Sequence, residues 1–319
     1  MGEQEAGHDL RALFRAIGAK AHGGTLAGEE ERKIDESVEL IDKYGAEITA
    51  EIPLVKCAID GIQSQMILTF IDQRPVLLAY TASGALSPAG AVLGVRERLA
   101  LICSSVDRAW ADSLGSTVPI EELGAVTPPE VEREALTLLN GARDVAEQII
   151  LRDLLESSGA TLEVGAPTVP GAEASEQIAD SGGFILVDGS LGSRPADLRL
   201  IGVSKTVGKR YLDDESVLFG LRQGYRSVRF FIPPGVSGGV GRYSTYLRLN
   251  DARGEKWSHG LVRIEAHDPT LLDAACAFAL SNKQGRGSID GRWDRHLKIV
   301  RSVEDLLRAR RPAVFSLGR

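Results

Sequence analysis

The chain has 319 residues, 43% of them apolar and 25% charged, and a net charge of −7. That apolar share excludes a disordered or fibrous chain and is enough for a substantial core in one or two domains. No run reaches the roughly 18 apolar residues of a membrane span, the first ten residues carry acids and no apolar leader, and Cys57, Cys103 and Cys276 have neither zinc nor disulfide spacing, so the chain reads as a cytoplasmic protein with no membrane partner.

From Leu10 to about Ala50, good helix formers with apolar residues at helical spacing predict an N-terminal helical extension of two helices, broken at His22-Gly23-Gly24. Three short apolar runs follow, Leu54 to Asp60, Met66 to Asp72 and Val76 to Thr81, and their Gly and Pro punctuation predicts consecutive antiparallel strands. A mixed stretch ends at Pro128-Pro129. Residues Glu130 to about Ser157 then carry Leu136, Leu139, Ala142, Ala146, Ile150 and Leu154 without a proline, which predicts the longest helix. Residues 158–182 are small, acidic and rich in Gly and Pro, as in a surface insertion. Strands are expected at Gly183 to Val187, Leu198 to Val203, Val228 to Ile232, Tyr243 to Leu249 and Leu261 to Glu265, and helices from about Pro269 to Leu280 and Arg295 to Arg308. Interleaved strands and helices give an α/β or α+β class, with helices on a mixed sheet.

Charge is unevenly spread. Residues 281–319 hold ten Lys or Arg against four acids, so the tail is about +6 and the remainder must carry −13 of the total. Such a separation suits a phosphate-facing surface on an acidic body, and equally a solvated helix face.

Two apolar strands finish in Asp-Gly: Cys57-Ala58-Ile59-Asp60-Gly61 and Ile185-Leu186-Val187-Asp188-Gly189-Ser190. A carboxylate at a strand end is held by the sheet yet open to solvent, and the following Gly admits a cation or phosphate close to the backbone. An ordinary turn is the plainer alternative for each. Gly202 and Gly208 enclose five residues and are followed by Lys209-Arg210, so Ile201-Gly202-Val203-Ser204-Lys205-Thr206 is no nucleotide-triphosphate loop. Gly235-Val236-Ser237-Gly238-Gly239-Val240-Gly241 follows Pro233-Pro234 and lacks the strand-to-helix setting of a dinucleotide fingerprint, which leaves a flexible loop.

In this order the residues resemble the NurA-type DNA nucleases, a ribonuclease-H-like (Piwi-like) family. Asp60-Gly61 and the strand runs through Tyr80 come first, then a long helix able to supply a Glu, then Val187-Asp188-Gly189-Ser190-Leu191. Gly202 to Lys205, Val262-Arg263-Ile264-Glu265, Arg292 to Leu297 and Val303-Glu304 complete the series. The resemblance spans residues 54–316 and implies one nuclease domain over 51–319 behind the 1–50 extension. It also implies a site of Asp60, Glu147 (with Glu156 in reserve), Asp188 and His296 binding two Mn²⁺ or Mg²⁺ ions, with Lys205 beside the phosphate. A homodimer that cleaves DNA fed by a hexameric HerA-type ATPase, in end processing or anti-phage defence, is the implied setting. The first motif reads Asp-Gly-Ile-Gln-Ser where the family pattern is Asp-Gly-Ser, which keeps open a catalytically weakened subunit that holds DNA or docks the translocase. A metal-dependent phosphotransferase or hydrolase acting on a small substrate is the third class.

Overall fold

The computed structural model describes residues 39–42, 45–159, 178, 180, 182–205, 211–212, 216–235, 239–250, 259–283 and 297–316. The chain is mixed α/β and divides into two compact units, each assembled from separated segments. One holds residues 1–52, 189–195 and 202–295. The other holds 53–188, 196–201 and 296–319.

The segment read as an N-terminal helical extension falls largely outside the described residues. Its described end is extended: β1 (Glu39–Leu40) and β2 (Ala46–Glu47) are short strands where helix was expected. The reason lies at Gly45, where an added Cβ would stand 2.4 Å from the backbone oxygen of Arg226. The chain passes too close to its neighbour for a helix with side chains, and it pairs as a strand instead.

In the 53–188 unit, β3 (Val55–Ile71), β4 (Arg74–Leu86) and β5 (Val92–Ser104) form an antiparallel meander, with α1 (Arg108–Ser113) and β6 (Ile120–Leu123) after it. The turn between β3 and β4 has Asp72 and Gln73 at positive φ, 45° and 69°, the left-handed pair that matches the twist of a two-residue hairpin. Two expected strands have therefore merged into one of 17 residues, and Asp60-Gly61 lies in its interior and not at its end. The outer half of β3, Ile62 to Ile71, carries no charged residue and leaves Ile67, Leu68 and Phe70 exposed. β5 and β6 are strands within the stretch that periodicity left undivided. Arg96, Glu97 and Arg98 interrupt the apolar pattern of β5 there.

α2 (Pro128–Ser157) matches the expected long helix. Prolines occupy its first positions, where no N–H is needed, and the Thr127 hydroxyl donates to Glu130 Oε2 at 2.5 Å. Val131, Ala135 and Leu139 pack on Leu77, Ala79 and Ile102. β7 (Phe184–Asp188) runs parallel to β3, which gives the order β7-β3-β4-β5-β6 with parallel outer pairs and antiparallel inner ones. α5 (Lys298–Arg310) closes the opposite face with Ile299, Val300, Val303 and Leu307, while Arg301 and Arg308 pair with Asp305 and Glu304 on its outer side. A mixed sheet flanked by helices results. No helix among the described residues is long and apolar enough to cross a membrane.

The other unit is built on β9 (Tyr225–Arg226), β10 (Phe230–Ile232), β11 (Arg242–Arg248) and β12 (Leu261–Ala266). These pair antiparallel in the order β1-β10-β11-β12, and β9 bridges β2 and β11. β8 (Leu200–Ser204) straddles the division, which falls after Ile201. α3 (Ser216–Phe219) and α4 (Leu272–Ser281) complete this unit, and the closely packed aromatic rings of Tyr211, Phe230 and Tyr246 lie in its core. Asp42 fastens the N-terminal strands: it accepts from Arg229 Nε and Nη2 at 2.9 Å each and from Arg226 Nη1 at 2.8 Å. Burial opposes its ionisation, but these guanidinium partners hold its carboxyl below the usual range.

An added Cβ at Gly61 would meet Arg143 Cγ at 2.5 Å and Glu147 Oε1 at 2.7 Å, whereas one at Gly141 would meet nothing. Denaturant unfolding should thus show Gly61→Ala costing about 1–3 kcal/mol and Gly141→Ala gaining about 0.5–1 kcal/mol from helix propensity. A depressed Asp42 pKa means stability that is present above the unfolded carboxylate value near 4 and lost as pH falls through the lower folded value. Asp42→Asn is expected to lower the melting temperature at pH 7, and the gap from wild type should narrow as the pH falls through the lowered Asp42 value.

Candidate functional site

Asp60 and Asp188 are brought together by strand register. β3 and β7 pair Ala58 with Leu186 and Ile59 with Val187, so the next position sets Asp60 beside Asp188 on neighbouring parallel strands. Adjacent strands are about 4.8 Å apart, and paired residues of a parallel ladder turn their side chains to the same face. Asp60 is 6% exposed, and its Oδ1 accepts the Gly61 N–H at 2.7 Å, which turns the carboxyl along the strand. Asp188 is the last residue of β7 and is half-buried; Gly189 follows at φ 123°, a conformation open only to glycine. The two Asp-Gly pairs thus do different work. At Gly189 the missing side chain frees the backbone to leave the strand, and at Gly61 it makes room for a helix.

Glu147 is 3% exposed and stands over Gly61, with its Oε1 3.5 Å from Arg143 Nε. Glu156 is exposed and faces Arg152 at 3.8 Å, so of the two candidate helix carboxylates only Glu147 reaches the sheet. It does so from the far face. Gly61 and its partner Ser83 turn toward α2, where Ser83 Oγ donates to Arg143 O at 3.2 Å. Alternation turns Asp60 and its partner Gly84 the other way, toward Leu307 of α5. The strand therefore separates Glu147 from the Asp60 and Asp188 pair. Lys205 directly follows β8, half-buried, and His296 lies outside the described residues.

Two carboxylates held this close repel when both are ionised, and a hard divalent cation relieves that repulsion through oxygen ligands. The donor chemistry suits Mg²⁺ or Mn²⁺. Among the described residues no group of three or more His, Cys, Asp or Glu converges on one point. Thiol chemistry has no support: all three cysteines are buried, and burial pushes the Cys57 thiol up to about 12 and also raises Cys276 and Cys103.

The other unit holds a second charged centre. Glu265, fully buried on β12, accepts from Ser190 Oγ at 2.9 Å, from the Leu191 N–H at 2.7 Å and from Arg242 Nε at 3.0 Å, all through Oε2. Arg263 Nε donates to Oε1 at 2.9 Å, and its guanidinium also covers the Tyr211 ring at 4.7 Å. The Ser-Leu half of Asp-Gly-Ser-Leu is thus tied down by a glutamate 75 residues later. Gly202 permits the approach, since a Cβ there would meet Gly189 O and Leu191 Cγ at 2.9 Å and Glu265 Cβ at 3.3 Å. The sequence offered one sign of this centre: Arg263 and Glu265 alternate inside a strand that is otherwise wholly apolar. The buried pair of Asp197 and Arg199, joined at 2.6 and 2.8 Å, left no such sign.

Glu265→Gln removes the acid that, among the described residues, two buried guanidinium groups share, and breaking a buried ion cluster from one side is costly. A loss of about 3 kcal/mol is expected in urea unfolding, with Ser190→Ala costing about 1 kcal/mol by comparison. No protein-family model matches the chain, and no curated protein matches it.

Proposed function

We propose that the protein is a divalent-metal-dependent DNA nuclease that hydrolyses phosphodiesters at the Asp60 and Asp188 pair. The observation that supports this is the register of β3 and β7, which holds two carboxylates side by side at the end of a parallel ladder. Mg²⁺ or Mn²⁺ bound there would supply the positive charge that lowers the pKa of an attacking water and stabilises the departing oxygen. Asp188 contributes a carboxylate fixed by the sheet up to Val187 and free of a side-chain obstacle at Gly189. Asp60 contributes a second whose orientation is set by the Gly61 N–H. The sequence resemblance assigns Lys205 the role of a cation for phosphate oxygens. A homodimer acting on DNA delivered by a HerA-type hexameric ATPase, in end processing or anti-phage defence, is the setting in which we place this activity, on the strength of the sequence resemblance.

A second reading is a subunit of the same fold that holds DNA or docks a translocase without cutting. One observation favours it: Glu147 is engaged with Arg143 on the other side of β3 from Asp60.

The two readings part on a cleavage assay with linear DNA and Mn²⁺. Nuclease action predicts cleavage that falls about 100-fold or more in Asp188→Asn and Asp60→Asn, with Mn²⁺ binding by calorimetry weakened in both. Wild-type protein that binds DNA but leaves it intact under these conditions would establish the docking subunit instead. If Glu147→Gln cuts as fast as wild type, the helix carboxylate is structural.

A further inference from the structure

The strands of the 53–188 unit leave two edges of opposite character. One is β6, four residues long, with Glu121 and Glu122 at its centre. Shortness and charge are the devices by which a sheet edge keeps another strand from adding to it. The other edge belongs to β3. β7 covers it only from Val55 to Ile59, and among the described residues no strand pairs with that side of β3 beyond this point. From Ile62 to Ile67 the ladder with β4 keeps an unbroken register, so alternate residues of this segment turn their N–H and C=O groups away from the sheet over the length of an ordinary strand. No Lys, Pro or acid guards them: the sequence runs Ile62-Gln63-Ser64-Gln65-Met66-Ile67.

Exposed apolar surface continues past the segment. Leu68, where the register shifts, and Phe70 are exposed. Arg74 ties the hairpin tip to the chain just before α1, its Nε and Nη2 donating to the Asp107 carboxylate at 2.8 and 2.7 Å. There Val106, Trp110 and Leu114, each four residues from the next, are exposed as well.

We propose that this edge of β3 pairs with the same edge of a second copy of the chain, antiparallel and about a two-fold axis. A strand paired with its own copy brings each charge near an identical one, which is destabilising, so a self-pairing segment does without charge. A different partner is better selected by charges of opposite sign, and Ile62 to Ile71 offers none. With the axis near Gln65, every cross-strand pair within the segment joins two uncharged residues. Main-chain hydrogen bonds then supply the pairing, and Leu68 and Phe70 supply apolar area. Such a contact is isologous: it uses the free edge of both copies and closes at two. The inference rests on the homodimeric part of the function proposed above, to which it gives an interface, and does not draw on the cation site.

Sedimentation velocity of the full chain in chelator tests it. Wild type should sediment at twice 34.2 kDa. Gln65→Lys combined with Leu68→Lys sets like charges across the axis and should give a monomer with an unchanged far-UV circular dichroism spectrum, as should Gln65→Glu combined with Leu68→Glu. An equimolar mixture of the two should recover the dimer. Val145→Lys, at an exposed position of α2, should leave the dimer intact. Hydrogen exchange of the wild type needs no variant: amides of Ile62 to Ile67 should exchange about tenfold or more slowly in the dimer than after dilution to monomer. A wild-type monomer at the highest attainable concentration, or association that runs past two, overturns the proposal and the homodimer with it. A dimer that survives both charged variants, or exchange that ignores dilution, overturns this interface and leaves the homodimer standing. DNA cleavage by the Asp60 and Asp188 pair is read separately, in Mn²⁺, and none of these outcomes decides it.

Discussion

Where α2 crosses β3, the side chains of Arg143 and Glu147 lie so close to the strand that only a hydrogen fits beneath them. Gly61 is that point, with Arg143 and Glu147 of the helix lying where a Cβ would be. Much of the 53–188 unit follows from the contact. On the same side of the meander, Val131, Ala135 and Leu139 of α2 pack on Leu77, Ala79 and Ile102. The contact also assigns the faces: once Gly61 is under α2, strand alternation puts Asp60 on the α5 side, where β7 delivers Asp188. A glycine that a sequence reader takes for a turn is here a packing device.

The two charged centres are managed in opposite ways. Asp60 and Asp188 stand on neighbouring strands where the ladder of β3 and β7 ends. Glu265, Arg242 and Arg263 concentrate charge of mixed sign within the fold and tie down the segment after β7. Buried ion clusters of this kind seldom add stability over an apolar core of the same volume. Asp42 belongs to neither centre. Its pairs with Arg226 and Arg229 serve only to hold β1 and β2, and they act through ordinary charge-assisted hydrogen bonds.

Legibility from sequence tracked the physical origin of each feature. α2 was visible because its apolar residues recur at helical spacing behind Pro128-Pro129, and β7 and β8 were visible as compact apolar runs. β5 was not, because Arg96, Glu97 and Arg98 stand where its pattern should alternate, and they are tolerated through partners elsewhere such as Asp153, Arg310 and Glu121. The merging of two expected strands into β3 was hidden for a similar reason: nothing local says whether a glycine bends a strand or clears a neighbour. Asp60 and Asp188 could be named from their motifs, but their adjacency depends on register. The side of the sheet that Glu147 occupies depends on tertiary packing, to which helical periodicity is blind.

The hairpin of β3 and β4 joins residues that are near in sequence, whereas the ladder of β3 and β7 joins Ile59 to Val187 across well over a hundred residues. Closing so long a loop carries an entropy cost that the hairpin escapes. The paired carboxylates therefore belong to a strongly non-local contact of their unit: a chain that has formed only its meander holds Asp60 and lacks its companion. Chemistry that requires both is confined to the finished fold, and a nascent or partly opened chain carries one half of the pair without the other.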